Sequence, residues 1–487
     1  MRRLLKITFT VALFAALFVP PSFASVSVGD GQSCKKAGMT TKNRNGSEFE
    51  CKKIGKRLVW KKSISTISTT PTGSSKQTTV DLGDTGLLVT HSVVNGNKVS
   101  PTNCKQDMST SRGHRINEAL VMDPSNSNNI VVGIEWEGIF RTTDGGKTWK
   151  ISQRGLKSYP SKADVTKPCP DEFGKMVMDP RNPQHLVLIR TDSPGGIDRF
   201  FGELAGLYQS EDAGQSWTHI TRSGMETYGR SALAIDPQNS DIIWAGTSNL
   251  PHHLDQGETK SRHLTKGIVY RSINRGKTWT ELPTGLIENV AAQSLIVDPI
   301  NSSHALLFTM GREKTTSEPI FTQGLGVLET TDAGKTWLNI TSRIDERYRA
   351  TYIADAAGNG LRNIILEPWN QNQNTISKDG GLTWSVAPRT GNYVVFDHLD
   401  TNGLKAWSGS NGTISRSSDG GATWTVTGTI PSVNGATPNV SVITTALDGT
   451  ILAAGRFSFP DADPFIYRST DSGASWTRIL SGASLSK

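Results

Sequence analysis

One eight-residue pattern recurs seven times along this 487-residue chain and constrains its fold more than any other feature. The pattern is Ser/Thr-x-Asp-x-Gly-x-Ser/Thr-Trp, and its acidic positions are 40 to 68 residues apart. Repetition at such intervals indicates one supersecondary unit copied seven times. The acidic and tryptophan positions are Asp144, Asp212, Asn274, Asp332, Asp379, Asp419 and Asp471, and Trp149, Trp217, Trp279, Trp337, Trp384, Trp424 and Trp476.

The residue types of the pattern predict a turn between two antiparallel strands. Asp accepts hydrogen bonds from the backbone ahead of it, and Gly adopts a positive φ. The Trp side chain can bury a large apolar surface between neighbouring sheets. A second element, an apolar strand ending in Asp-Pro as at residues 120–124, precedes several copies. Four strands per repeat and seven repeats predict an all-β, seven-bladed β-propeller over residues 83–487. Residues 87–90 are predicted to close the ring against the last blade.

The pattern resembles the Asp-box (BNR) repeat of the sortilin-type, xyloglucanase-type and sialidase-type propellers. The resemblance covers about residues 83–480 and implies that the repeated Asp and Trp are structural. Sialidases carry an arginine triad and a Phe/Tyr-Arg-Ile-Pro element, of which this chain keeps only Arg115-Ile116. In xyloglucanase-type hydrolases, two propellers each contribute one carboxylate to the cleft, whereas this chain has repeats for one propeller. Sortilin-like domains and photosystem assembly factors use the same repeat for binding alone.

The segments before the propeller predict export and a tether. Residues 1–24 combine a basic start, an apolar run of about 13 residues and a small-residue site, as in a cleaved signal peptide. Residues 25–62 form a small basic Cys/Gly/Trp module, and residues 63–82 form a Ser/Thr-rich linker. We therefore expect a secreted or cell-surface protein without a transmembrane segment in the mature chain.

The charge is concentrated outside the propeller. Of the net charge of +8, +7 falls in residues 25–62 and +3 in residues 1–24, which leaves −2 for the rest. A nearly neutral propeller argues against nucleic-acid binding. The basic module could instead hold an anionic envelope polymer, or serve only as a solubilising surface.

The four cysteines predict two disulfides in an oxidising compartment. Cys34 and Cys51 lie in the basic module, where a small core needs a staple. Cys104 and Cys169 precede the first strands of blades one and two, and we expect them to pair. No cofactor and no metal are predicted, although His252, His253 and Asp255 with His263 offer a weaker metal-ligand alternative.

Binding residues are expected on the face opposite the repeated turn, where the loops between the second and third strands lie. The candidate ligand-binding residues there are Arg199, Phe200, Phe201, His252, His253, Arg312, Arg456 and Phe457. The weaker catalytic candidates are Asp198, Glu203, Asp255 and Glu313.

The absence of an identifiable catalytic set favours a binding protein for a glycan or an extracellular protein. The alternative is a secreted glycoside hydrolase that uses the loop carboxylates, and a third possibility is a structural scaffold of the envelope. Whether the chain is an enzyme is left open at this stage, with the balance against catalysis.

Overall fold

The N-terminal segment forms a small antiparallel sheet of its own. Its strands are Thr40–Lys42, Glu48–Ile54 and Arg57–Lys62. Cys51 is 1% exposed and disulfide-bonded. Cys34, Cys104 and Cys169 lie outside the described residues, so the predicted pairings stay predictions. The chain divides into two units, Met1–Ser74 and Ser75–Lys487.

The structure is a computed structural model. It describes residues 33, 40–42, 48–54, 57–62, 78–81, 88–91, 93–94, 97–98, 115–135, 137–158, 172–191, 206–220, 232–247, 267–287, 290–313, 320–322, 326–340, 351–368, 373–391, 393–458 and 463–482.

Seven antiparallel sheets, each with four consecutive strands A to D, form the blades of a β-propeller. The A strands are Leu120–Met122, Glu172–Asp179, Leu233–Asp236, Val290–Asp298, Thr351–Ala357, Tyr393–Phe396 and Pro438–Thr445. The B strands are Ile130–Ile134, Asn182–Thr191, Asn239–Gly246, Asn301–Glu313, Asn363–Pro368, Ala406–Ser410 and Ile451–Phe457. The C strands are Gly138–Thr142, Gly206–Ser210, Val269–Ser272, Val327–Thr330, Gln373–Ser377, Thr413–Ser417 and Pro464–Ser469. The D strands are Lys150–Ile151, Thr218–His219, Thr280–Leu282, Leu338–Asn339, Ser385–Pro388, Thr425–Thr429 and Thr477–Ser481.

The ring closes through the A strands. Each A strand contacts the A strands of both neighbouring blades, and that of blade seven contacts that of blade one. The prediction that residues 87–90 close the ring is wrong, because Leu88–His91 pairs with Thr78–Asp81 and Lys157–Ser158 in a separate sheet. A further small ladder joins Val93–Val94 to Asn97–Lys98, and Ile320–Thr322 extends blade four. One 3-10 turn, Asn359–Leu361, joins strands A and B of blade five.

The hydrophobic core consists of seven layers, one between each pair of neighbouring blades. Trp217 is 3% exposed, and its Nε1 donates to the carbonyl of Ser152 in blade one at 2.9 Å. Trp149 donates in the same way to the carbonyl of Ile479 in blade seven at 2.8 Å. All seven repeated tryptophans pack in or against these layers between successive blades, as the sequence predicts.

The repeated turn connects strands C and D, and its hydrogen bonds explain its residue types. In blade one, Asp144 accepts from the hydroxyl of Thr142 at 2.7 Å, and from the backbone N–H and hydroxyl of Thr148 at 3.0 and 2.6 Å. Asn274 keeps the same acceptor role in blade three, where the N–H of Thr278 donates to its Oδ1 at 2.8 Å. The turn is thus a closed local network that tolerates Asn.

Two faces of the disc follow from this topology. The A–B connections lie on the side of the repeated turns. In six blades a backbone N–H of the repeated turn donates to a carbonyl in the A–B turn or at the start of strand B, as from Gly145 N to Asn128 O at 3.1 Å. We call this side the turn face. The B–C loops and the connections from D to A define the opposite side, the loop face. This division confirms the arrangement predicted from the strand order.

Acid is expected to weaken the repeated turns. The backbone N–H and hydroxyl of Thr336 lower the pKa of Asp332 from 3.8 to about 2. Because the pKa in the folded state lies below the unfolded value, this carboxylate stabilises the fold above about pH 4 and loses that effect towards pH 2. We expect Asp332→Asn to lower the urea midpoint at pH 5 and to lower it much less at pH 2, where the carboxylate is partly protonated in the folded protein.

Urea denaturation across this pH range, followed by tryptophan fluorescence, tests the expectation. Glu281→Gln is a suitable control, because Glu281 is exposed on strand D of blade three, outside the repeated turns. An equal loss of stability for Asp332→Asn at pH 2 and pH 5 would contradict the electrostatic explanation.

Candidate functional site on the loop face

Most of the residues predicted to bind ligand lie in the B–C loops of blades two and three. The ligand-binding candidates Arg199, Phe200, Phe201, His252 and His253 lie outside the described residues, and so do the catalytic candidates Asp198, Glu203 and Asp255. Arg312 and Glu313 end strand B of blade four, where their backbone pairs with Phe321 and Ile320. The predictions for these residues stay predictions.

Arg456 and Phe457, both predicted to bind ligand, end strand B of blade seven. Their surroundings differ from one another. Phe457 is 1% exposed, and its ring centroid lies 4.9 Å from that of Phe465. The guanidinium carbon of Arg478 lies 5.1 Å from the Phe457 ring centroid. Phe457 therefore packs in the core in this structure, whereas Arg456 is only partly buried.

Arg456 belongs to a polar cluster at the junction of blades one and seven. The hydroxyl of Ser441 in strand A of blade seven donates to the carbonyl of Ile116 in blade one. The next residue back, Arg115, accepts at its carbonyl from the N–H of Glu135 at 2.9 Å. These bonds place Arg115 and Glu135 beside strand A of blade seven. Arg456 lies in the strand paired with it, and the charges of Arg115 and Glu135 act on Arg456. We call these three residues the junction cluster.

The charges of the junction cluster act on one another. Burial lowers the pKa of Arg456, the positive charge of Arg115 lowers it further, and the Glu135 carboxylate opposes both effects. Arg115 is exposed, whereas Glu135 is 9% exposed. The cluster therefore combines a recessed carboxylate with two guanidinium groups, which donate hydrogen bonds to hydroxyl or carboxylate oxygens of a ligand.

Glu135 is held in a tight B–C turn between Ile130–Ile134 and Gly138–Thr142. The N–H of Glu137 donates to the carbonyl of Ile134 at 3.0 Å. Gly138 has φ 116°, and a Cβ there would lie 1.6 Å from Nε2 of Gln153, so only glycine fits this position. The backbone of this turn therefore fixes the position of Glu135 directly after strand B.

The sequence analysis did not predict Glu135 as a site residue. Its candidates lie in the long B–C loops of blades two to four and in the loop of blade seven, whereas Glu135 lies in the short B–C turn of blade one. The available signal is the segment Glu135-Trp136-Glu137, in which two carboxylates flank an aromatic residue directly after a buried strand. Carboxylates beside aromatic side chains suit sugar binding, since sugars offer both hydroxyl groups and apolar ring faces. Trp136 lies outside the described residues.

Two other carboxylates near the loop face serve the fold. Glu367 in strand B of blade five pairs with Arg389, whose Nε also donates to the carbonyl of Gly391 at 3.1 Å. Asp463 pairs with Arg478 and accepts from the N–H of Gly482 at 2.9 Å. Because both carboxylates join neighbouring segments of one blade, the junction cluster is the better candidate site.

Within the described ranges, no group of three or more His, Cys, Asp or Glu residues is placed to hold a metal ion. Within the same ranges, no helix is long and apolar enough to cross a membrane.

Comparison with known proteins finds relatives among polysaccharide-degrading enzymes. No family model matches the chain. A xyloglucanase from Paenibacillus sp is 27% identical over 326 residues, which cover 57% of this chain and 29% of that protein. A xyloglucanase from Hypocrea jecorina (strain QM6a) is 26% identical over 338 residues, 58% of this chain and 37% of that protein. The chain thus spans about a third of the length of these relatives.

Solved structures show the same fold. An ancestral GH74 enzyme superimposes with a TM-score of 0.53 at 16% sequence identity, covering 76% of this chain and 47% of that chain. YCF48 from Cyanidioschyzon merolae is a weaker neighbour, with a TM-score of 0.44 at 16% identity over 71% of this chain and 95% of that chain. The predicted all-β, seven-bladed propeller is confirmed.

Proposed function

We propose that this protein is a glycoside hydrolase that acts on a polysaccharide of the xyloglucan type at its loop face. The similarity to two xyloglucanases over 57% and 58% of the chain carries this proposal. It favours the hydrolase alternative over the non-catalytic binding that the sequence analysis put first. The resemblance to Asp-box propellers supports the same assignment, since that repeat occurs in xyloglucanase-type hydrolases.

Hydrolysis of a glycosidic bond uses two carboxyl groups that flank the scissile bond, one as general acid and one as base or nucleophile. We assign one role to Glu135, because it is recessed on the loop face beside Arg456 and Arg115. Asp198, Glu203, Asp255 and Glu313 are the candidates for its partner. The two arginines would orient the substrate by donating to its hydroxyl oxygens.

A direct assay tests the proposal. The mature protein is incubated with xyloglucan and, separately, with unsubstituted β-glucan, and both new reducing ends and product masses are measured. We expect oligosaccharide release from xyloglucan. Retention of the protein on immobilised xyloglucan without any products would instead support the non-catalytic binding protein. No products and no retention on either polymer would reject both, and would favour a protein ligand.

The location of such a substrate agrees with the predicted export. A polysaccharide is met outside the cell, and we propose that residues 1–24 direct secretion. We further propose that the basic module at residues 25–62 attaches the protein to an anionic envelope polymer, with residues 63–82 as the tether. Release of the protein from cell-wall material by salt, and loss of attachment on deletion of residues 25–62, would support this role.

A further inference from the structure

The segment at residues 115–119 carries Arg115 into the junction cluster and precedes the first strand of blade one, Leu120–Met122. Arg115 is exposed, whereas Ile116 is 0% exposed in the apolar layer between blades one and seven. Because the segment lies outside the strand ladder, the position of Arg115 depends on the individual bonds that hold its backbone.

Carbonyl groups of this segment accept hydrogen bonds from three blades. Within blade one, the N–H of Glu135 donates to the carbonyl of Arg115 at 2.9 Å. From blade two, the N–H of Met176 donates to the carbonyl of Glu118 at 3.0 Å. From blade seven, the hydroxyl of Ser441 donates to the carbonyl of Ile116. The first two donors are backbone groups, whereas Ser441 is a side chain that a substitution can remove.

Ser441 lies at a β-bulge in strand A of blade seven. Val440 and Val442 pair with two adjacent residues of strand B, so Ser441 between them is the extra residue. A bulge re-aims the side chain of the strand that contains it, and bulges are frequent next to active sites. The hydroxyl of this extra residue reaches the neighbouring blade.

The two halves of the junction cluster come from opposite ends of the propeller chain. Arg115 and Glu135 belong to blade one, and Arg456 belongs to blade seven. At the other six junctions the chain itself runs from strand D of one blade to strand A of the next. Between blades one and seven, non-covalent contacts such as the Ser441 hydroxyl set the spacing of the two halves.

We propose that Ser441 is a positioning residue of the candidate site, whose hydroxyl fixes the Arg115 segment against blade seven. The Arg115 guanidinium is thereby held beside Arg456, where both can donate to the substrate. This inference rests on the proposed hydrolase function. Glu135 is held by its own tight turn, so loss of the Ser441 bond acts on substrate binding rather than on proton transfer.

Substitutions of Ser441 test the proposal through the kinetics of xyloglucan cleavage. We expect Ser441→Ala to raise KM about 5-fold, the effect of one hydrogen bond, and to leave kcat within about twofold. Ser441→Thr keeps the hydroxyl and should restore KM. In an Arg115→Ala background, Ser441→Ala should have no further effect on KM, because both changes remove the same contact with substrate.

Ser127→Ala is the matched control at the same blade junction. The Ser127 hydroxyl donates to Oδ2 of Asp448 in blade seven at 2.6 Å, on the turn face. Its loss weakens the contact between the same two blades without touching the Arg115 segment, so the urea midpoint should fall while KM stays unchanged. An equal rise of KM in Ser127→Ala and Ser441→Ala would overturn the proposal. Additive effects of Ser441→Ala and Arg115→Ala would also overturn it.

Hydrogen exchange of the Glu135 amide gives a readout that does not depend on catalysis, because this N–H bonds to the Arg115 carbonyl. We expect Ser441→Ala to speed this exchange about 5-fold, and Ser127→Ala to leave it unchanged. Faster exchange in a protein that neither binds nor cleaves xyloglucan would reject the hydrolase function and keep Ser441 as the residue that holds the segment. Unchanged exchange and unchanged KM in an active protein would reject the role of Ser441 alone.

Discussion

Replacing Trp244 with alanine is expected to lower the free energy of unfolding by about 3–5 kcal/mol, the range for truncating a large aromatic side chain in a core. Trp244 lies in strand B of blade three and is 0% exposed. Its ring meets that of Trp337 edge-on, with 6.4 Å between centroids, and the guanidinium carbon of Arg271 lies 5.0 Å from its centroid. Removing the indole therefore opens the layer between blades three and four and breaks both ring contacts.

Two substitutions separate packing from other effects of this change. Trp244→Phe keeps a ring in the layer and removes an indole N–H that has no hydrogen-bond partner within the described residues, so it should cost much less than alanine. Leu338→Ala changes a side chain that is 62% exposed, and we expect a change within about 0.5 kcal/mol. Urea denaturation measures all three. A loss below about 1 kcal/mol for Trp244→Ala would show that the layer collapses around the gap.

The fold could be predicted from sequence because its defining element is local. In the repeated turn the side chain of Asp144 bonds residues only two and four positions away, so the turn is specified within eight residues. Seven copies of one turn along the chain then leave few all-β arrangements. Residues 87–90 show the limit of this reasoning, because they carry no copy of the turn that would assign them to a blade, and they pair instead with Thr78–Asp81 and Lys157–Ser158.

The candidate site was harder to predict, for two physical reasons. Strand B of blade seven is buried on both faces, so its sequence does not alternate, and no periodicity shows that Phe457 packs in the core rather than facing a ligand. Arg115, Glu135 and Arg456 come together only because the ring closes between blades one and seven. More than 300 residues separate Glu135 from Arg456 along the chain.

Glu135→Gln is expected to lower kcat/KM on xyloglucan by about 10²–10⁴-fold, the usual contribution of a general acid or base. Glutamine keeps the shape of the side chain and still accepts hydrogen bonds, but it neither gives nor takes the proton that bond cleavage requires. Because Glu135 lies in the B–C turn of blade one, away from the repeated turns, the urea midpoint should change little. Initial rates of reducing-end release measure the effect.

Glu137→Gln is the matched control, because Glu137 lies in the same B–C turn but its side chain is more exposed than that of Glu135. We expect its rate to stay within about twofold of the unaltered protein, whereas Arg456→Ala should raise KM more than it lowers kcat if the arginine orients substrate. Equal losses for both glutamates would indicate a general charge effect at the junction cluster. An unchanged rate for Glu135→Gln would place the catalytic pair among Asp198, Glu203, Asp255 and Glu313, on blades two to four.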